Sequence, residues 1–374
     1  MGLIKRIHHV EIMTKSLDSV CKYLMKGFGF RLISKGKENI LQSGSAIFIV
    51  KQFPNNCLHQ IDTVFDVALE VTNLQEIIAR AKSNNDRIIQ HQTRISDKFG
   101  FVDIAQLGSC VGNVVHTIID KHDYPGKFLP GYIEIEHDKS TFSEFVRSFD
   151  HITYVVHKSC SSSVLKWYST LFDMKKFFIN KNDLLDEGFV LHHKNNGMRL
   201  AAFDYWKCDE NFLSNHSESC KFVVAEELTE NGKNQINEFL MDHKGPGIQH
   251  IGLSVSDIIH ATEISINNGV TFLKPPIGYY EIIKRNPKIQ TLEWCMDKFE
   301  KYGILVDAET EFSCSENTNG ENFLYQVFTN PIFDRHTFFL ELIQRQGATG
   351  FGSGNIKALW DAVDLSQESI GTTN

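Results

Sequence analysis

In Phe338-Phe339-Leu340-Glu341-Leu342-Ile343 a carboxylate stands inside a run that is otherwise apolar on both faces of a strand. An ionised carboxylate buried alone costs many kcal/mol, so Glu341 needs a cation beside it or must carry a proton. Two other strand-like runs hold a histidine in similar surroundings: Asp150-His151-Ile152-Thr153-Tyr154-Val155 and Ile248-Gln249-His250-Ile251-Gly252-Leu253. Alternate residues of a strand share a face. His151 therefore lies with Thr153 and Val155, His250 with Gly252 and Ser254, and Glu341 with Phe339 and Ile343. Two imidazoles and one carboxylate suit non-haem Fe(II), which keeps one face open to substrate and oxygen. The spacings of 99 and 91 residues carry no motif information. A lone strand histidine is more often a packed or surface residue, and a strand glutamate can face solvent at a sheet edge. On the residues alone these alternatives stay open.

The other histidines compete poorly. His8 and His9 are adjacent, so strand alternation predicts that they face opposite ways, and the same holds for His192 and His193. His9, Asp66 and His116 make a possible relic site in the first half, with His116 near the place that Glu341 takes in the second.

The elements that must position the triad repeat within the chain. The run from Ile7, "IHHVEIMTKSLDSVCKYLMKGFGF", matches "FDHITYVVHKSCSSSVLKWYSTLFDM" from Phe149, with His9 opposite His151 at an offset of 142. "TVFDVALEVTNLQEIIARAKSNN" matches "GIQHIGLSVSDIIHATEISINNG", with Asp66 opposite His250 at an offset of 184. The larger offset implies an insertion in the second half. Each half thus reads as two modules of strand, helix and several strands. The predicted class is α+β, with curved sheets around a cavity. The prolines and glycines of "YPGKFLPGY", Tyr124 to Tyr132, mark a seam. The expected units are residues 1–132, a linker at 133–148, and a catalytic unit at 149–374.

Composition excludes other classes. The chain has 374 residues and a net charge of −8, against a nucleic-acid partner, which favours a basic face. No run of 18 apolar residues exists, so no transmembrane helix is expected. The chain enters a strand almost at once, and no apolar signal region is expected. Arg6 stands where a myristoylation motif needs Ser or Thr. Eight cysteines (21, 57, 110, 160, 208, 220, 295 and 314) without a CxxC predict free thiols in a reducing compartment. The first 35 residues are basic, which fits mitochondrial import and fits a lysine-bearing surface helix equally well.

"FDHITYVV", "KFLPGY", "HKGPGIQHIGL", "FLYQVFTNPIFDRHTFFLELIQR" (Phe323–Arg345) and "GATGFGSGN" (Gly347–Asn355) resemble the 4-hydroxyphenylpyruvate dioxygenase family, over residues 7 to 362. "FLKPPIGYY" and "FFLELIQRQGATGFGSGNIKALW" resemble its animal dioxygenase-like branch, which forms 4-hydroxymandelate in mitochondria. The resemblance implies paired βαβββ modules of the glyoxalase and extradiol dioxygenase superfamily, the vicinal oxygen chelate fold. It implies Fe(2+) held by His151, His250 and Glu341, with a 2-oxo acid and O2 as small-molecule partners. It implies pocket roles for Gln235, Gln326 and Asn355, and a ring sandwich of Phe328 and Phe339. A C-terminal helix, about Asn355 to Val363, closes over the iron in the family. A homodimer is among the assemblies expected.

The sequence departs from the family at three places. Ile356 replaces the final Phe of "GFGxGNF", as in hydroxymandelate-forming relatives. Ala225-Glu226-Glu227 aligns with "NEP". Arg199 aligns with a pocket Ser, as a candidate contact for a carboxylate or phenol, or as one partner of an ion pair at the rim. The resulting expectation is a 4-hydroxymandelate synthase feeding the ubiquinone ring precursor. The alternatives are a homogentisate-forming dioxygenase of tyrosine breakdown, a non-catalytic binding protein, and a glyoxalase-type metal lyase. The expected location is mitochondrial, with the cytoplasm as the alternative.

Overall fold

The computed structural model describes residues 3–35, 38–54, 61–133, 135, 144–177, 188–193, 196–204, 220–228, 234–309 and 322–359. The first half supplies strands β1 (Ile4–Thr14), β2 (Arg31–Lys35), β3 (Glu38–Ser43), β4 (Ala46–Gln52), β5 (Thr63–Val71), β6 (Ile88–Asp97), β7 (Gly100–Gly108) and β8 (Val115–Asp120). They form one mixed sheet in the order β2-β3-β4-β1-β5-β8-β7-β6. The second half supplies β9 (Val146–Val156), β10 (Lys175–Phe177), β11 (Phe189–His193), β12 (Asn196–Asp204), β13 (Lys221–Glu227), β14 (Gly247–Val255), β15 (Leu305–Glu309), β16 (Asn322–Phe328) and β17 (Phe339–Gln346). Its order is β10-β12-β13-β9-β14-β17-β16-β15, with β11 also paired to β12. The two orders superimpose strand for strand, which bears out the duplication read from the sequence.

The crossover helices α1 (Leu17–Phe28), α2 (Leu74–Ser83), α3 (Ser161–Phe172) and α5 (Ile258–Asn267) lie between the sheets, α1 against α5 and α2 against α3. The second half adds α4 (Gln235–His243) before β14, and α6 (Tyr279–Ile283), α7 (Pro287–Gln290) and α8 (Glu293–Tyr302) before β15. Asn234 starts α4 by accepting hydrogen bonds from the Ile236 and Asn237 amides, satisfying donors that a helix N-terminus leaves over. Lys244 ends it in the left-handed region at φ 62°.

The central strands β1, β5, β9 and β14 are almost wholly buried, because helices cover one face and the concave side closes over the other. Residues 353–359 are helical, which places the start of the C-terminal helix just before Asn355; its expected end at Val363 lies outside the described residues. Cys21, Cys110, Cys160, Cys220 and Cys295 are free thiols, and Cys57, Cys208 and Cys314 lie outside the described residues. No helix among the described residues is long and apolar enough to cross a membrane.

Candidate metal centre and its cavity

The sheet order sets β9, β14 and β17 side by side, so three residues distant in sequence meet on one concave face. Gly252 pairs with His151 across β9 and with Glu341 across β17. A Cβ on Gly252 would stand 2.5 Å from the His151 ring, so only glycine lets that ring lie across the strand. His151 Nε2 is 3.4 Å from His250 Nε2 and 3.2 Å from Glu341 Oε2, and His250 Nε2 is 3.7 Å from the same oxygen. Among the described residues this is the one group of three ligand-type side chains whose ligand atoms lie within 4.8 Å of one another.

The donor set fits a divalent ion. Donors sharing an octahedral ion at about 2.1 Å stand about 3 Å apart. Glu341 is 1% exposed, so its charge is not met by water. Burial opposes protonation of His151, but the Glu341 carboxylate and then Asp150 outweigh it and raise that imidazole to about 9. Burial, then the charge of His151, drives His250 well below the ordinary histidine range. The Glu341 carboxylate thus favours positive charge beside it at the centre of the triad.

Each ligand is held from behind. His151 Nδ1 is 2.9 Å from Asp150 Oδ1, and His250 Nδ1 is 3.3 Å from Gln249 Oε1. The Gln326 amide donates to Glu341 Oε1 at 2.8 Å. Gln326 Oε1 accepts from the Asn355 amide at 2.8 Å, and Asn355 Oδ1 accepts from the Tyr279 hydroxyl at 2.8 Å. Both ends of Gln326 are thus engaged, and it links the helix at 353–359 to Glu341. Gly352 sits at φ 75°, and a Cβ there would meet Gln326 Oε1 at 2.0 Å. That contact explains one glycine of the "GFGSGN" stretch.

The triad opens into a cavity of about 450 Å3. Gln235, Gln326, Phe328, Phe339, Asn355 and Ile356 line it together with the three ligands. Phe339 stacks on His250 with centroids 4.8 Å apart, and Phe328 meets Phe339 edge-on at 6.1 Å. Arg199 is not brought there. On β12 the cavity is lined by Met198 and Leu200, so alternation turns Arg199 to the other face, where it pairs with Glu226 at 3.5 Å. Reading the sequence residue by residue missed Asp150, Tyr279, Arg345 and Phe351. An arginine within a strand and an acid next to a candidate ligand histidine are the available signals for two of them.

The relic site is also corrected. With His9 set on His151, the strand registers set Asp66 on His250 and Thr117, not His116, on Glu341. His116 faces the opposite way, into the seam between the halves, where Nε2 is 2.7 Å from the Tyr168 hydroxyl. Thr117 donates to Asp66 at 2.5 Å. His8 and His9 do not face apart, because a bulge in β1 between Ile7 and His9 brings their Nδ1 atoms to 2.8 Å.

No protein-family profile matches the chain. The chain is 28% identical over 396 residues to a 4-hydroxyphenylpyruvate dioxygenase from Caenorhabditis elegans, covering 99% of this chain and 94% of the relative. It is 29% identical over 377 residues to the 4-hydroxyphenylpyruvate dioxygenase-like protein of Rattus norvegicus, covering 96% of each. A triple mutant of 4-hydroxymandelate synthase from Streptomyces coelicolor superposes with a TM-score of 0.77 at 21% identity, over 98% of this chain and 100% of the other. At that identity the likeness is one of fold. The chain's homologues therefore include 4-hydroxyphenylpyruvate dioxygenases and dioxygenase-like proteins matched almost from end to end, and its fold is the vicinal oxygen chelate fold.

Proposed function

We propose that this chain is an Fe(II)-dependent oxygenase that converts 4-hydroxyphenylpyruvate and O2 to 4-hydroxymandelate and CO2. The carrying observation is the His151, His250 and Glu341 triad, with His151 and Glu341 buried, lining a largely apolar cavity. When bound there, Fe(II) supplies a Lewis acid for a 2-oxo acid and the electrons that activate dioxygen.

The chain's own residues do the rest. Phe328 and Phe339 offer walls for an aromatic ring, and the exposed Gln235 lines the same cavity. Gln326 holds the Glu341 carboxylate, and Asn355 holds Gln326. Asn355, Ile356 and Leu359 bring the C-terminal helix over the cavity, which excludes water from the reacting atoms. Oxidation at the ring gives homogentisate, and oxidation at the benzylic carbon gives 4-hydroxymandelate. Ile356 lines the cavity where the ring-hydroxylating pattern has Phe, and a branched side chain there changes how far the ring can swing. A displacement near 1 Å is enough to redirect such a step.

Homogentisate formation is the second reading, favoured by the relatives named dioxygenase at the same identity. Purified protein with Fe(II), ascorbate, O2 and 4-hydroxyphenylpyruvate, analysed by chromatography with mass detection, separates the two. 4-Hydroxymandelate is expected, homogentisate assigns the chain to tyrosine breakdown, and no product with iron bound overturns both. A mitochondrial location and a role in supplying the ubiquinone ring precursor go with the first reading. Cell fractionation checks the former, with the cytoplasm as the other outcome.

A further inference from the structure

The bulge that joins His8 to His9 recurs in β9. The register with the neighbouring strand shifts between Ile7 and His9 in the first half, and between Gly252 and Leu253, opposite Asp150, in the second. In both halves the residue before the histidine is turned beside it, His8 in one and Asp150 in the other. The registers also set Lys121 on Arg345. Each of these cations then ties down the segment that follows its strand. Lys121 donates to the Gly126 carbonyl at 3.1 Å, and Arg345 to the Gly350 carbonyl at 2.6 Å. Each segment sends a phenylalanine onto its histidine: Phe128 lies 5.4 Å from His9, and Phe351 lies 5.5 Å from His151.

Among the described residues, the second half joins these parts through a continuous chain of side-chain hydrogen bonds from the cation to the histidine. Arg345 grips Asp150 through two hydrogen bonds, of 2.7 and 2.8 Å, and Asp150 meets His151 Nδ1 at 2.9 Å. The same guanidinium stands 5.6 Å from the Phe351 ring. A bidentate arginine fixes both distance and plane of its partner, which a lysine does not.

We propose that Asp150 and Arg345 are positioning residues of the metal centre, holding the His151 ring through Nδ1 while seating the Gly350–Phe351 turn over it. Retention of the ion and closure of the C-terminal segment then share one side chain that touches neither ion nor substrate. The inference rests on the metal reading above.

The test is Co(II) titration of the full chain, followed by visible absorption, with hydrogen exchange of residues 347–359 measured alongside. The wild type is expected to bind one Co(II). Arg345→Met is expected to bind it about 10–100-fold more weakly, as loss of a supporting partner does elsewhere, to alter the absorption bands, and to exchange faster over 347–359. Arg345→Lys is expected to recover part of the affinity but not the exchange protection. If Arg345→Met does not fold, the near-isosteric Asp150→Asn supplies the reading, with the same weakening expected. Wild-type affinity and spectrum in folded Asp150→Asn or Arg345→Met would overturn the proposal and leave the metal reading standing. Absence of Co(II) binding by the wild type would overturn both.

Discussion

The two halves have one strand plan and opposite interiors. Where the second half has Thr153 beside His151, the first has Glu11 beside His9. Where the second has the small Ala225 lining its cavity, the first has Lys51, whose ammonium lies 2.8 Å from Glu11 and 3.1 Å from Glu38. Glu11 is held below the ordinary carboxylate range, because His9 and Lys51 outweigh the burial that opposes its charge. Burial, then the charge of Glu11, raises Asp66 to about 6. The first half therefore meets its buried carboxylate with a tethered ammonium, and the second presents its carboxylate to a site that an ion can fill. Phe128 and three isoleucines, Ile40, Ile47 and Ile49, pack the first concave face, whereas α4 and the helix at 353–359 arch over the second and leave a cavity. A duplicated fold can thus lose or keep a metal site by changing which cation the same strand positions receive.

The largest expected effect comes from removing the carboxylate of the second half's triad. Glu341→Ala should abolish stoichiometric Fe(II) binding and turnover with little loss of melting temperature, whereas Asp66→Ala should leave both intact. Metal analysis of purified variants with product detection checks this, and full activity in Glu341→Ala would end the distinction between the halves. A sharper form converts one interior into the other. Thr153→Glu combined with Ala225→Lys should yield a folded chain that no longer binds Fe(II), read by the same metal analysis and by circular dichroism.

Next is the seam between the halves. Burial lowers His116 to about 4 from an ordinary value near 6.5. The unfolded chain takes up this proton first as pH falls, so stability is full above pH 6.5 and is lost between about pH 6.5 and 4. The loss from this group is about 3 kcal/mol. Urea denaturation across that range should show the loss in the wild type and a shallower slope in His116→Gln. An unchanged slope would place the acid sensitivity elsewhere. The smallest effect is on selectivity: Ile356→Phe should move product toward homogentisate with turnover within about tenfold of wild type, since it changes ring placement and leaves the ligands untouched. An unchanged product ratio would shift attention to Ala225.

Alternation made much of this legible. The runs around His151, His250 and Glu341 state which side chains share a face, and matching the runs exposes the duplication. The same rule applied to Met198-Arg199-Leu200 already sets Arg199 apart from its apolar neighbours, and a loose motif alignment obscured it. Alternation failed at His8 and His9, because a bulge adds a residue without a sequence mark. It also left His116 and Thr117 undecided, since a register slip of one residue exchanges the faces.

By itself the sequence determined the residue types, their faces, the repeat and, through its motifs, the family resemblance. Only the tertiary structure decided which strands are neighbours, and hence that ligands 99 and 91 residues apart meet over Gly252. It also decided that Lys51 fills one interior while Arg345 and Asn355 reach back to Asp150 and Gln326, the partners of His151 and Glu341 in the other. The physical reason is that a strand's period fixes direction within the strand, whereas partner and register depend on packing energy summed over the whole sheet.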